Sequence, residues 1–327
     1  MAAELNEPAM QMPGAAENSS VASITVAWNG ANVLPRHLTG LLEQSRPLDE
    51  IVVVDNASQD GTLGLLRQQF PAVTVIPVEA NLGMGGGLCA GLGYTLEKHF
   101  DWFWLLDQDS FPAKTALEEL FKGLASISEK ASKVGMLASL PVHAETGLEH
   151  FGLLWRDRFV SVPQERARQP VCFVDLVLSS GSLIRREVVE KIGLPRRDFF
   201  IDFVDHEYNF RVRRHGYEIA LVRHSVLYHR MGEPRLARKF GVGPFRLRSH
   251  SATWRHYYMS RNEVFTVWYL LGTTKARVFL LFRMLRRALR VACYDEGKLA
   301  KLKMHFMGIR DGLAKDLTRG RGQLPAE

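Results

Sequence analysis

Cysteine is scarce: the 327-residue chain has three, Cys89, Cys172 and Cys293. Their odd number, wide separation and lack of any CxxC-like spacing exclude a disulfide framework and a cysteine-held metal, and fit a reducing compartment. Also missing is a G-x-G-x-x-G after the first strand-like segment, where the chain reads WNGANVL, so the fingerprint of a dinucleotide oxidoreductase is absent. Glycines gather later, in GMGGGLCAG, but neither Lys-Ser nor Lys-Thr follows them, which excludes a Walker phosphate loop. No uncharged apolar run approaches the roughly twenty residues that span a bilayer. Residues 1–20 have neither a basic start nor a continuous apolar stretch, so they read as a disordered tail and not as a secretory signal.

What remains is an ordinary globular composition, 46% apolar and 24% charged, in a chain long enough to bury a large core. A net charge of +7 suits nucleic acid, an anionic small molecule or an anionic membrane surface, and the position of the charge decides among them. Basic residues crowd toward the C-terminus.

VASITVAW, EIVVVD, TVIPV and DWFWLLD have the apolar character of buried strands, while ANVLPRHLTGLLEQ and GGGLCAGLGYTLEKHF have helical spacing. The alternation predicts an α/β fold with a mixed, mostly parallel sheet flanked by helices. Ligands of such sheets bind beyond the carboxyl ends of the strands. There the chain places Trp28-Asn29, Asp55-Asn56-Ala57-Ser58, Asn81-Leu82-Gly83 and Asp107-Gln108-Asp109. DNASQDG by itself reads as a turn with a capping role, but four polar segments on one rim point to a binding site. The glycine-rich helix entry after the third strand would let a phosphate or sugar approach the backbone.

Asp107 and Asp109 close the run WFWLLDQDS, and two like charges at the end of a stiff strand repel unless a cation sits beside them. A hard divalent ion takes one or two carboxylates and fills its other sites with water and substrate phosphates. The alternative for Asp109 is to cap a helix beginning near Pro112.

DNASQDGT, NLGMGGGLCAGL, LLDQDS, SSGSLIRREVVEKIG, FFIDFVDHEYNFRVRRHGY, YHRMG and YYMSRN occur in the order seen in glycosyltransferase family 2, and LLDQDS with FIDFVDHEYNFR resembles its bacterial rhamnosyltransferases. The resemblance covers roughly residues 22 to 265. It implies a GT-A fold, a nucleotide-sugar donor, a divalent metal (Mg²⁺ or Mn²⁺) and inversion at the anomeric carbon. Carried over by position, Asp55 resembles the carboxylate that accepts the N3 hydrogen of a pyrimidine, with Trp28 and Asn29 lining the same pocket. Asn81 and Gly83 match the diphosphate-side loop, Asp107 falls near the ribose, and Asp109 and His229 match metal ligands. Asp205 matches the general base, with Asp202 as the competing candidate, although the family more often has Glu-Asp where this chain has Val204-Asp205. Arg211 reads as a brace for this acidic cluster. Arg261 and Asn262 either contact the diphosphate or solvate a helix surface. The segment from Gly232 to Ser251, with its glycines and basic groups, could close over the donor or reach an anionic acceptor.

In VFTVWYLLGTTKARVFLLFRMLRRALRVACY, Arg283, Arg286, Arg287 and Arg290 fall largely on one side of a helix and Phe279, Phe282, Leu285 and Leu289 on the other. Such a helix lies in the plane of an anionic membrane surface, or packs on the catalytic domain with a solvated basic face. Nucleic-acid binding is not favoured, because the basic residues accompany a broad apolar face and no nucleic-acid module is recognisable. The expected organisation is a tail over 1–20, a GT-A catalytic domain over 21–235, and a mobile loop with a helical, membrane-associated region over 236–327. The expected activity is transfer of L-rhamnose from dTDP-L-rhamnose to a glycan or glycolipid acceptor at the inner face of a bacterial membrane. The rivals are another sugar, such as galactofuranose, and a non-catalytic scaffold subunit that retains the nucleotide pocket.

Overall fold

The computed structural model describes residues 18–229, 234–239, 242–248 and 252–318. Strands β1 (Val21–Ala27), β2 (Glu50–Asp55), β3 (Thr74–Pro77) and β4 (Trp102–Asp107) alternate with helices α1 (Leu34–Leu42), α2 (Thr62–Gln69) and α3 (Gly83–Leu96). Then come β5 (Ser110–Pro112), α4 (Ala116–Ser126), α5 (Ser128–Ala131), β6 (Val134–His143), the hairpin β7 (Leu153–Trp155) and β8 (Phe159–Ser161), α6 (Gln164–Ala167) and β9 (Val171–Val174). β10 (Ser182–Arg185), α7 (Arg186–Ile192), α8 (Val204–Arg214) and β11 (Glu218–His229) complete the sheet region. A strand pair, β12 (Pro234–Lys239) and β13 (Val242–Arg248), leads to α9 (Arg255–Phe265), a π-helical stretch (Thr266–Leu271), α10 (Thr274–Tyr294) and α11 (Lys298–Leu313).

Nine strands form one sheet in the order β3-β2-β1-β4-β10-β6-β11-β5, with β9 also on β11. β1 to β4 are mutually parallel, as the alternation predicts. Period-two alternation sends Trp102, Trp104 and Leu106 of β4 into the core under α1 and α4, and Phe103 and Leu105 into the core under α3 and α8. A strand apolar on both faces is stable only between two helical layers, which is why these runs show no polar alternation.

The second half of the sheet is what directs the chain back to the rim. β10 runs antiparallel to both β4 and β6, so β6 runs with β4, and β11, parallel to β6, does too. The end of β11, His229, therefore lies on the same edge as Asp55 and Asp107. The short β5 pairs antiparallel with β11 and sets Ser110 opposite His229. That pairing replaces the helix expected near Pro112: α4 begins at Ala116 after Thr115, so Asp109 does not cap it.

Residues 1–17 of the expected tail lie outside the described residues, and Ser20 is already anchored, its N–H and hydroxyl donating to Asp101 Oδ2 at 2.8 and 2.9 Å. In the segment from Gly232 to Ser251, 234–239 and 242–248 are the antiparallel β12–β13 pair. Its other positions, and with them any closure over a donor, lie outside the described residues.

The reading of α10 as a packed helix with a solvated basic face needs correction. Glu263 of α9 is fully buried, and Arg283 and Arg287 both turn inward to pair with it. Burial alone would raise the Glu263 carboxyl, but the two guanidinium groups outweigh this and hold it below its ordinary value. A buried charge must be paired, so the carboxylate draws part of the basic side into the protein and leaves Phe282, Leu285 and Leu289 exposed. Among the described residues no helix is long and apolar enough to cross a membrane.

Candidate active site

Asp55 ends β2 and is buried, yet its Oδ1 has no hydrogen-bond partner among the described residues. A buried acceptor left open costs about 1–3 kcal/mol unless a ligand donates to it. The rest of DNASQDG does the turn work that the segment suggests: Asp60 Oδ1 accepts from the Thr62 N–H at 3.1 Å, and Asp60 Oδ2 from the Ala31 N–H at 3.1 Å. Trp28, one residue beyond Ala27, which pairs with Asp55 in the sheet, is 42% exposed.

Across the rim, one ligand atom each from Asp107, Asp109 and His229 lie within 4.8 Å of one another, a grouping able to hold a metal ion. His229 Nε2 is 3.9 Å from Asp107 Oδ2, and its Nδ1 is 3.7 Å from Asp109 Oδ1, both too long for hydrogen bonds. The buried Nδ1 is accordingly without a hydrogen-bond partner among the described residues. Two carboxylates and an imidazole held apart at this spacing fit a shared cation better than they fit one another. Burial pushes the Asp107 carboxyl up to about 6; the nearby His229 charge opposes this, and the Asp109 and Asp205 carboxylates add to it.

The turn carrying this cluster is fixed from below. The His37 imidazole meets the Ser110 carbonyl at 2.5 Å through Nδ1 and the Thr25 hydroxyl at 2.8 Å through Nε2. Burial lowers its pKa to about 4 against the opposing effect of the Ser110 bond, so the ring is neutral, donates from Nδ1 and accepts at Nε2.

Asp205 lies in the first turn of α8. Its Oδ1 accepts from the His206 backbone N–H at 2.8 Å and meets His206 Nδ1 at 2.7 Å, while Oδ2 has no hydrogen-bond partner among the described residues. Burial tends to raise the Asp205 carboxyl, but the His206 charge and these hydrogen bonds outweigh it and keep the group below its ordinary value, hence ionised. For His206 burial works downward and the Asp205 carboxylate upward, and the carboxylate prevails. Asp202, the competing base, has both oxygens taken by Arg255, at 2.8 and 2.9 Å.

One face thus assembles a vacant buried acceptor, a metal-competent cluster and an ionised carboxylate with a free oxygen. Residues 23–193 match the family model described as Glycosyl transferase family 2, over half of the chain. The chain belongs to glycosyltransferase family 2. It is similar to galactofuranosyltransferase GlfT1 of Mycolicibacterium smegmatis, 28% identical over 203 residues, 60% of this chain and 66% of that protein. The chain thus spans about two thirds of the length of this curated relative. The dTDP-rhamnosyl transferase RfbF of Shigella flexneri is 24% identical over 322 residues, 93% of this chain and 98% of its own. Among solved structures, GalNAc-T7 with UDP, GalNAc and Mn²⁺ has a TM-score of 0.59 at 16% identity, covering 92% of this chain and 57% of that one. S. aureus TarS 1-349 in complex with UDP-GlcNAc has a TM-score of 0.58 at 16% identity, covering 91% of this chain and 88% of that one. The fold is that of the GT-A glycosyltransferases.

In this glycosyltransferase several expected donor contacts turn out to be struts. Arg261 and Asn262 are fully buried, on neither the rim nor a solvated surface. Arg261 donates to the Asp198 carbonyl at 2.5 Å, and Asn262 Nδ2 to the Ile201 and Asp202 carbonyls, both at 2.9 Å. Their task is local: Asp202 and Phe203 are consecutive left-handed residues with φ of 61° and 65°, a conformation costing about 1–3 kcal/mol each that the surroundings must hold. Arg211 pairs only with Glu207 of the acidic cluster, at 2.9 Å, and otherwise donates to the Ile192 and Leu194 carbonyls. Asn29 ties the rim together, its Oδ1 accepting from the Gln59 N–H at 2.8 Å.

The glycine-rich helix entry is corrected as well. A Cβ on Gly83 would lie 2.2 Å from the Phe200 carbonyl oxygen, and one on Gly85 2.3 Å from that of Arg196. The close approach is made by the protein's own 196–200 segment, which leads to Asp202, and Asn81 Oδ1 accepts from the Gly83 N–H at 2.9 Å. Gly85→Ala should therefore lower stability by about 1–3 kcal/mol through overpacking. Thermal unfolding reads this, and an unchanged midpoint would contradict the packing role.

Sequence reasoning passed over Gln108, Asn56 and His206. Gln108 bridges β4 to β1, accepting from the Trp28 N–H at 2.9 Å and donating to its carbonyl at 3.1 Å. Asn56 donates to Asn81 Oδ1 and the Gly83 carbonyl, both at 3.1 Å, joining two rim segments. Each was visible only as a polar neighbour of a more conspicuous aspartate.

Proposed function

We propose that this enzyme is a metal-dependent, inverting rhamnosyltransferase that moves L-rhamnose from dTDP-L-rhamnose to a glycan or lipid-linked acceptor at the cytoplasmic face of the cell membrane. The observation that carries the reading is the gathering of Asp107, Asp109 and His229, one ligand atom from each within 4.8 Å of the others, on the sheet edge that also carries the buried, unpartnered Asp55 Oδ1. The choice of donor is supported by similarity to RfbF along 93% of the chain.

Asp109 and His229, with Asp107 beside them, would hold the ion, and the imidazole in the set favours Mn²⁺ over Mg²⁺. When bound, the ion offsets the negative charge that collects on the leaving diphosphate. Asp55 Oδ1 accepts the N3 hydrogen of thymine, and exposed Trp28 covers that pocket. Asp205 Oδ2 takes the acceptor hydroxyl proton as the new oxygen–carbon bond forms and the anomeric carbon–diphosphate bond breaks. A single displacement of this kind inverts the anomeric configuration and returns dTDP. His206 keeps the Asp205 carboxyl ionised and oriented.

The second reading keeps these steps and changes the sugar to galactofuranose, on the strength of the GlfT1 similarity. Nucleotide release from a panel of donors by the purified chain with Mn²⁺ separates the two. Turnover of dTDP-L-rhamnose should exceed that of UDP-galactofuranose by at least about tenfold. The reverse order would transfer the assignment to galactofuranose. Chelation with EDTA should abolish turnover of either sugar, and indifference to it would remove the metal from the mechanism.

A further inference from the structure

Nine of the thirteen exposed large apolar side chains among the described residues lie between Val278 and Leu313. On α10, Val278, Leu281, Phe282, Leu285 and Leu289, 46 to 69% exposed, fall at spacings of three and four and form one outward stripe. α11 adds Leu299, Phe306 and Leu313 at a spacing of seven. A soluble surface rarely gathers so much apolar area without a partner.

Charge identifies the partner. α10 contains no Asp or Glu. Arg283 and Arg287 are spent on Glu263, and Arg277 stacks over Trp268 at 4.8 Å, but Lys275 and Arg286 remain exposed on the helical face that carries the stripe. The N-terminal end of the stripe opens into a groove lined by Phe282 together with Lys275, Arg158 and Arg156, the last donating to the Trp155 carbonyl at 2.7 Å and paired with Asp175 at 3.4 Å. The groove also holds Asp157, whose Oδ1 is occupied by the Thr273 hydroxyl at 2.8 Å. An apolar stripe edged by cations is complementary to acyl chains beneath anionic headgroups. A second copy of the same face in a two-fold dimer would meet its own cations across the interface with no acid on α10 to offset them.

We infer that α10 docks this glycosyltransferase on an anionic lipid bilayer, with the Val278–Leu289 stripe in the acyl boundary and Lys275, Arg286 and Arg158 at the headgroups. The docked face adjoins the candidate base. The Phe159 ring of the β7–β8 hairpin lies 5.5 Å from that of His206 and 5.7 Å from that of Phe279 on α10, so an aromatic path joins the partner of Asp205 to the helix. A bilayer-anchored acceptor would reach Asp205 from this side. That last consequence rests on the proposed function; the docking itself does not.

The test is sedimentation of the full chain with vesicles of 70% phosphatidylcholine and 30% phosphatidylglycerol, and with pure phosphatidylcholine. Preferential binding to the anionic vesicles, weakened by salt, is expected. Phe282→Gln with Leu289→Gln should reduce that affinity by about a hundredfold, roughly tenfold for each side chain withdrawn from the apolar layer. Arg286→Gln should reduce it by about fivefold. Affinity for dTDP-L-rhamnose, measured on the same samples, should match the parent in all variants. No binding of the parent to anionic vesicles, or undiminished binding of the double variant, would overturn the inference. So would a parent dimer that the double variant converts to monomer without any vesicle binding, since a second copy would then be the partner. Vesicle binding by a chain with no affinity for any dTDP-sugar would leave the docking standing and remove the donor assignment instead.

Discussion

Asp205→Asn is expected to lower the rate of sugar transfer by about 10²- to 10⁴-fold, the usual contribution of a positioned general base. Affinity for the donor should stay within about threefold of the parent, because the interaction removed is made with the acceptor proton in the transition state. The amide preserves the size of the side chain and can still meet His206, but it has no basic oxygen to offer at the position of Oδ2. Asp202→Asn should behave differently. Both Asp202 oxygens are already bonded to Arg255, so the substitution loosens a brace under the left-handed 202–203 turn. The expected cost is about 1 kcal/mol of stability for a partly exposed pair, with transfer largely kept. Parallel transfer assays and thermal unfolding of the two variants decide the matter. Full transfer by the Asp205 variant combined with a dead Asp202 variant would reverse the assignment.

The second large effect is expected at Asp109. Asp109→Ala should remove the Mn²⁺ dependence of donor binding and lower transfer at least about a hundredfold, since a ligand is lost from a site that has few. It has a readout apart from activity. In the parent, Mn²⁺ together with dTDP at about a hundred times their dissociation constant should add about 2.7 kcal/mol to unfolding stability. In Asp109→Ala that increment should largely vanish. Without metal or nucleotide the variant should be no less stable than the parent, because among the described residues Asp109 makes no hydrogen bond to the rest of the rim and its charge repels that of Asp107. A metal-free variant much less stable than the metal-free parent would make Asp109 a structural residue.

The first half of the fold was legible because its signals are local. The four parallel strands announce themselves as apolar runs, β1, β2 and β4 buried and the edge strand β3 partly so, and each is followed by polar residues that fall on one rim. The rim positions of Asp55 and Asp107 were readable from that pattern alone. His229 was not, since it follows Asp109 by 120 positions and reaches it only through the antiparallel pairing of β5 with β11, a three-residue strand that no periodicity reveals. The resemblance to the family supplied that partner where spacing could not.

The misreadings share a cause. Glycines at a helix entry permit a close approach, but the sequence does not say whether ligand or protein makes it; here the 196–200 segment does. Arg261 and Asn262 looked available for phosphate because polar residues are usually accessible, whereas α9 is buried along most of its length and uses them to hold carbonyl groups. On α10 the two-sided pattern was visible, but the direction it faced was not. That direction is set by Glu263, a single buried carboxylate in the preceding helix.

The account as a whole is tested most directly by a crystal of the enzyme grown with dTDP and Mn²⁺ and measured at the manganese absorption edge. It predicts an anomalous peak bonded to Asp109 and His229 and touching the diphosphate, with the thymine N3 hydrogen on Asp55 Oδ1. Nucleotide bound with no manganese between those side chains and the phosphates, or a base seated away from Asp55, would contradict it.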